Sequence, residues 1–400
     1  MKIALLSKSD SSGGGASRVA QELQEQLSLK HKVVHFTKDN CTFPRVPLYG
    51  NYAKKIYSTL REVGFQEFLP FELFNIYKEH KKEQFDLFHF HDLSTAISPL
   101  TLKILSKNHR VIMTIHDASL VTGGCIYTLG CSNYKRTCHS CPQKREWPFG
   151  KRVDMSSFFH ALKKYLLKNS TIEFIAPSKW MADFVYETGL LHSYPTIIPN
   201  GVDTDKFILY NKQEIRTKLN LPQDKFIILL SSSSLNSPFK GIKYAIEIIQ
   251  KLKVLNPFIL LVGKENDTTA HLLKSFDTFT TGYISDTKLL NQFYSSADIF
   301  LNTTIADNLP LTVLEVMASG TPNIGFKTGG ISEIVSHNID GFLQNDVEIL
   351  IEFIKESTHK NQWFKMGKLA RQKIESHFSL ALFISRHLEL YLKTPNTHLQ

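Results

Sequence analysis

No run in the 400 residues comes near the 18 consecutive apolar residues that a helix needs to cross a bilayer. The apolar start, Met1-Lys-Ile-Ala-Leu-Leu-Ser-Lys8, is too short for the core of a secretory signal and reads as a first buried strand. A cytoplasmic chain is therefore expected. Cysteine is scarce: there are five, and four of them fall within seventeen residues. In a cytoplasmic chain that cluster is not expected to form disulfides. Low-complexity tracts and short-period repeats are lacking, so repeat architectures are set aside. The dinucleotide fingerprint is lacking too, because Gly13-Gly14-Gly15 has a different glycine spacing.

What is present describes a soluble globular chain, 42% apolar and 21% charged, and too long for one core. Its formal charge of +10 is uneven: residues 1–200 carry +9 and residues 201–400 carry +1. Residues 135–168 alone hold nine basic and two acidic side chains. Such a field attracts an anionic partner (lipid headgroups, a phosphorylated acceptor or nucleic acid), unless it serves solubility alone. Within it Phe158, Phe159, Leu162, Tyr165 and Leu166 recur at helical spacing beside Lys163, Lys164 and Lys168. The helix they predict either packs on a sheet by its apolar stripe or docks on an anionic membrane.

Strand-like runs alternate with helical ones. The strands expected are Ile3–Leu6, Lys32–Phe36, Leu87–Phe90, Val111–Ile115 and Ile172–Ala176, then Phe226–Ser231, Phe258–Val262, Ile299–Leu301 and Asn323–Gly325. A helix over Ala16–Leu29 gathers Val19, Leu23 and Leu27 on one side. This alternation predicts an α/β fold of parallel sheets covered by helices, in two doubly wound domains. The turn-rich Pro199-Asn-Gly-Val-Asp203 marks the boundary. Segment 43–82 is aromatic and irregular, and its pattern assigns no element.

In open α/β sheets, ligands sit at the carboxyl ends of the strands. Four groups fall there. Gly14 and Gly15, with Arg18 one turn on, open the first helix, where glycine lets a ligand approach the backbone and the dipole favours an anion; a flexible turn is the plain alternative. His116 and Asp117 follow directly from a buried strand, and His91 stands at the end of the preceding one and competes for the same role. Lys240, in Phe-Lys-Gly, stands just ahead of a helix, where an ammonium can neutralise a diphosphate leaving group. The fourth group is the run Ala306-Asp-Asn-Leu-Pro-Leu-Thr-Val-Leu-Glu315, in which seven residues separate Asp307 from Glu315. Pro310 suits the first turn of the helix there, and Glu315 lies about one turn in. Free amides around Asn308, Leu309 and Leu311 would then lie between two acids, although Asp and Asn before a helix are also ordinary caps.

The Gly-rich loop, Thr114-Ile-His-Asp117, Pro199-Asn-Gly-Val-Asp203, Phe239-Lys-Gly241 and the spaced acids occur in the order found in the retaining GT-B glycosyltransferases of family 4. The resemblance covers residues 1 to about 390. It implies two Rossmann-like domains facing an interdomain cleft: an acceptor-side domain over 1–200, a nucleotide-sugar donor domain over 201–378, and a helix in 379–400 crossing back to the first. It also implies that Lys240 meets the donor diphosphate, Glu315 the ribose and Asp307 the transferred sugar. Gly14, Gly15 and Asn308 through Leu311, with Pro310, would complete the donor contacts. His116 would stand beside the reacting centre, with Arg18, His91 and Asp117 on the acceptor side. Transfer would proceed with retention and without a catalytic metal, from a nucleoside diphosphate sugar to a glycan or lipid-linked acceptor. A peripheral place at the inner face of the membrane fits the basic cluster.

Two departures stand out. Many members carry an arginine shortly before the lysine, but residues 231–237 have none, which would permit a non-catalytic partner subunit. Asp307 also replaces a common glutamate, as in a polysaccharide-assembly subgroup with Asp-Asn-Leu-Pro. That subgroup also resembles the module at 123–143, where Cys125, Cys131, Cys138 and Cys141 end in Cys-His-Ser-Cys-Pro-Gln. A tetrathiolate zinc site is the natural reading of these four residues, with reduced thiols as the alternative. A basic zinc module that binds nucleic acid is a weaker rival, since no aromatic-interleaved basic motif accompanies the cysteines.

Overall fold

Strands that are apolar at nearly every position are buried on both faces, the condition of a parallel sheet covered by helices. The computed structural model describes residues 1–10, 13–39, 45–65, 68–91, 93, 96–145, 153–168, 170–232, 237–264, 271, 273–357 and 362–393. It divides into two units, Met1–Ile198 with Arg386–Gln400, and Pro199–Ser385. The boundaries expected from the sequence are residues 200 and 378. No helix among the described residues is long and apolar enough to cross a membrane.

The first unit holds β1 (Lys2–Ser7), β2 (Lys32–Thr37), β3 (Val46–Pro47), β4 (Leu87–Phe90), β5 (Val111–Thr114), β6 (Glu173–Ala176) and β7 (Thr196–Ile197). Their order across the sheet is β3-β2-β1-β4-β5-β6-β7, all parallel. The order reverses between β1 and β4, which leaves a crevice at the carboxyl ends of those two strands. β1 is buried from Ile3 to Ser7, and β4 and β5 are buried throughout.

The second unit repeats the scheme with β8 (Ile227–Ser231), β9 (Phe258–Val262), β10 (Asp277–Thr280), β11 (Ile299–Asn302), β12 (Asn323–Gly325) and β13 (Gly341–Leu343). Its order is β10-β9-β8-β11-β12-β13, again all parallel, with the reversal between β8 and β11. These are two doubly wound, Rossmann-like sheets.

The described parts of segment 43–82 form β3 and two helices, Asn51–Glu62 and Glu72–Glu83. Aromatic packing, not periodicity, fixes them: Tyr57 meets Tyr49 and Phe71 edge-on at 4.9 and 5.2 Å. Glu72 is fully buried and accepts from Ser98 N at 2.7 Å and Thr101 Oγ1 at 2.6 Å. Burial pushes its carboxyl up to about 7 against those hydrogen bonds.

The last helix, Leu380–Leu392, begins in the second unit and ends in the first. Its C-terminal half is tied into the first unit by Arg110. That guanidinium grips Glu173 at 2.6 Å and donates to the carbonyls of Leu390 and Tyr391 at 2.8 and 2.6 Å. Tyr391 Oη also meets His89 Nδ1 at 2.5 Å, and His89 Nε2 meets Thr114 Oγ1 at 2.7 Å.

Candidate functional site

The two strands flanking the crevice of the second unit each deliver one of the expected residues. β8 leads to the short turn Pro238–Lys240, and β11 leads to the loop carrying Asp307. Lys240 Nζ donates to Asp307 Oδ2 at 2.7 Å. Their backbones are stitched together as well: Ile305 N donates to Phe239 O at 2.8 Å, and Thr303 Oγ1 to Gly241 O at 3.0 Å. Gly241 makes this approach possible, since it sits at φ +61° and a Cβ there would stand 2.0 Å from the Thr303 carbonyl oxygen.

The helix after Asp307 is Leu311–Ala318, and Pro310 caps it from an extended conformation, ψ 125°, instead of entering its first turn as expected. Glu315 is its fifth residue and is 1% exposed. The amide of Asn308 is not free either, because it donates to Asp307 Oδ1 at 2.9 Å. Aspartate in place of glutamate makes this local turn possible, since the short side chain folds back on its own backbone. Asn308, Leu309 and Leu311 are buried.

Three residues that brace this loop escaped the sequence reading. Gly330 N donates to Asn308 O at 2.8 Å. Gly329 lies at φ +51°, and a Cβ on it would reach 1.9 Å from the Asp307 carbonyl oxygen. Asn200 Nδ2 donates to Leu309 O at 2.9 Å. The signals available were the Gly-Gly pair after β12 and the polar residue inside the Pro-Asn-Gly turn.

The remaining expected residues belong to the first unit. Gly14 caps the helix Gly15–Leu27 at φ +103°, with no side-chain cap and no acid in the first turn. Both glycines are exposed and have open space where a Cβ would be. Arg18 pairs with Glu22 one turn on, Nε to Oε1 at 3.3 Å. Asp117 accepts from Ser119 N at 2.8 Å and so caps the short turn Ala118–Leu120. Burial raises its pKa against that bond.

His116 and His91 do not compete for one position. His91 is 1% exposed behind the partly exposed His116, and its Nδ1 lies 3.1 Å from His116 Nε2. Burial pulls His116 down to about 3 and His91 well below the ordinary histidine value, so both are neutral at neutral pH.

Cys125, Cys131, Cys138 and Cys141 are free thiols that line one cavity of about 20 Å³, room for about one water-sized particle. Among the described residues, however, no three His, Cys, Asp or Glu side chains are gathered closely enough to hold a metal ion. Backbone bonds occupy the module instead: Gly123 N donates to Cys138 Sγ at 3.3 Å, and Cys141 N to Asp154 Oδ2 at 2.7 Å. Lys163 is a further correction to the basic cluster. It points inward and donates to the carbonyls of Ser119 and Thr122 at 2.5 and 3.1 Å. Lys164, Tyr165 and Lys168 remain exposed on the same helix, Ser156–Lys168.

Residues 13–206 match the family model described as Glycosyltransferase Family 4, and residues 226–358 that described as Glycosyl transferases group 1. Among the relatives is the N-acetyl-alpha-D-glucosaminyl L-malate synthase of Bacillus anthracis, 22% identical over 404 aligned positions, which cover 94% of this chain and 93% of that one. Another is the UDP-Gal:alpha-D-GlcNAc-diphosphoundecaprenol alpha-1,3-galactosyltransferase of Escherichia coli, 23% identical, with 80% and 78% covered. The HepE protein of Anabaena, solved in complex with UDP-glucose, shares the fold at a TM-score of 0.70 and 16% identity, over 98% of this chain and 99% of that one. The chain is thus a glycosyltransferase of the GT-B fold, a Glycosyltransferase Family 4 domain followed by a Glycosyl transferases group 1 domain.

Proposed function

We propose that the chain moves a sugar from a nucleoside diphosphate sugar to a lipid-linked or glycan acceptor in polysaccharide or glycoconjugate synthesis, with retention at the anomeric carbon. One observation carries this reading: Lys240 and Asp307, from the two strands that flank the second unit's crevice, meet at 2.7 Å. On this reading the Lys240 ammonium leaves Asp307 for the donor diphosphate and stabilises the charge that builds on the leaving group. Asp307, released, accepts from hydroxyls of the transferred sugar, and Glu315 holds the ribose. Positioning and leaving-group stabilisation supply the acceleration, and no protein nucleophile is needed. Retention rests on the family resemblance.

The acceptor side is assigned to the first unit, where His116 stands at the end of β5. The exposed Lys164, Tyr165 and Lys168 support a peripheral place on anionic membrane. Structural zinc rests on the four cysteines lining one cavity, whose thiolates would supply the four sulfur ligands that such an ion takes. Incubation of purified protein with nucleotide sugars and a lipid-linked glycan, followed by nucleoside diphosphate release, tests the reaction. No donor-dependent release with any nucleotide sugar would favour the non-catalytic partner instead.

A further inference from the structure

The histidine pair of the first unit holds more than its two positions. The planes of His91 and His116 are inclined by only 25°, and their centroids are 5.4 Å apart. With His91 Nδ1 and His116 Nε2 at 3.1 Å, that separation means the rings meet edge to edge along an N–H···N line, not face to face. One nitrogen must donate and the other accept. Both rings are neutral, so each has a single N–H to place.

The far nitrogen of His91 decides between the two arrangements. His91 Nε2 is buried and finds no hydrogen-bond partner among the described residues. If His116 donated, His91 would carry its proton on Nε2, a buried N–H with nothing to accept it. If His91 donates, Nε2 is a bare lone pair. Orphaned buried donors are rarer and costlier than under-used acceptors.

We infer that His91 is a positioning residue, whose Nδ1–H donates to His116 Nε2 and fixes His116 as the tautomer protonated on Nδ1. His116 then serves as a hydrogen-bond donor to a substrate oxygen, a sugar hydroxyl or ring oxygen, and not as a base. His89, 4.2 Å away between ring centroids, closes the other side of His91 and keeps the ring from turning. This inference rests on the reading of His116 as a residue beside the reacting centre.

The test uses side-chain ¹⁵N shifts of histidine-labelled wild-type protein together with kinetics of variants. The expected result is a His116 resonance of the Nδ1–H form, replaced by the other tautomer or a mixture in His91→Phe. That variant should lose about fivefold in kcat, the worth of one ordinary hydrogen bond, with KM for the donor nearly unchanged. His91→Gln, which keeps a donor, should recover part of the loss and covers the case in which His91→Phe fails to fold. A wild-type His116 protonated on Nε2 overturns the inference outright. A changed tautomer with unchanged kcat overturns the positioning role. Full activity in His116→Ala removes the reading of His116 itself, while the wild-type spectrum still reports the tautomer.

Discussion

Asp307→Asn separates two roles that an ion pair could hide. Lys240 is 30% exposed and Asp307 16%, so the pair sits at the rim of its crevice. At that exposure it contributes about 0–1 kcal/mol to stability, and losing it should lower the unfolding temperature by about 4 °C at most. A hydrogen bond from an ammonium to a charged phosphate is worth about 1.5–3 kcal/mol. Lys240→Ala should therefore weaken binding of UDP, used as a probe without sugar, by about 10- to 100-fold. Asp307→Asn should act in the other direction. It removes the carboxylate that competes for the ammonium, so affinity for UDP should hold or rise by up to about fivefold. Turnover with the sugar-bearing donor should nevertheless fall at least about tenfold, or about 1.4 kcal/mol, because the sugar loses its carboxylate. Titration calorimetry with UDP, beside nucleoside diphosphate release, measures both. If Asp307→Asn weakens UDP as much as Lys240→Ala does, the exchange of partners at Lys240 is wrong. If the exchange is right, the double variant should bind UDP like Lys240→Ala alone, since the aspartate acts on UDP only through the lysine.

Acidification should destabilise the first unit. His35, His89, His91 and His116 are held below their ordinary pKa, so the unfolded chain takes up protons below about pH 6.5 that the fold refuses. Glu72, raised to about 7, works in the opposite sense. About three protons remain in favour of unfolding, a loss of about 3–4 kcal/mol per pH unit between pH 6 and 5; a urea midpoint that stays level across that unit would refute it. Gly329→Ala should cost about 2 kcal/mol or more in urea unfolding and depress turnover, because the new Cβ meets the Asp307 carbonyl at 1.9 Å. A variant of unchanged stability would show that the loop gives way freely. Elemental analysis of protein purified without chelator should find about one zinc per chain, lost in Cys138→Ser. A zinc-free wild type of full stability would leave four thiols as packing.

Strands buried on both faces were legible as apolar runs, and β4, β9 and β12 fall where those runs lie. The missed strands are edge or very short ones. β10 alternates exposed and half-buried residues, and β3 and β7 have two residues each, so none offers a continuous apolar signal. In the candidate site, residue type and strand-end position pointed to Lys240, Asp307, Glu315 and His116. Pairing was not legible. That Lys240 meets Asp307, that His91 backs His116 and that Lys163 turns inward each depend on contacts made across the fold. The cysteine spacing suggested metal ligands, yet how closely four sulfurs approach depends on backbone bonds such as Gly123 to Cys138. Gly329 escaped notice because its requirement comes from a carbonyl 22 positions earlier in the chain.

The last helix has a consequence for how the chain is made. The second unit, Pro199–Ser385, is one uninterrupted stretch and can complete its fold as soon as it leaves the ribosome. The first unit, although synthesised earlier, cannot. Until Leu390 and Tyr391 emerge, the Arg110 guanidinium lacks two of its carbonyl acceptors and His89 lacks its phenol. The half that is translated first is therefore finished last, and a stop codon shortly before Arg386 would injure the beginning of the protein.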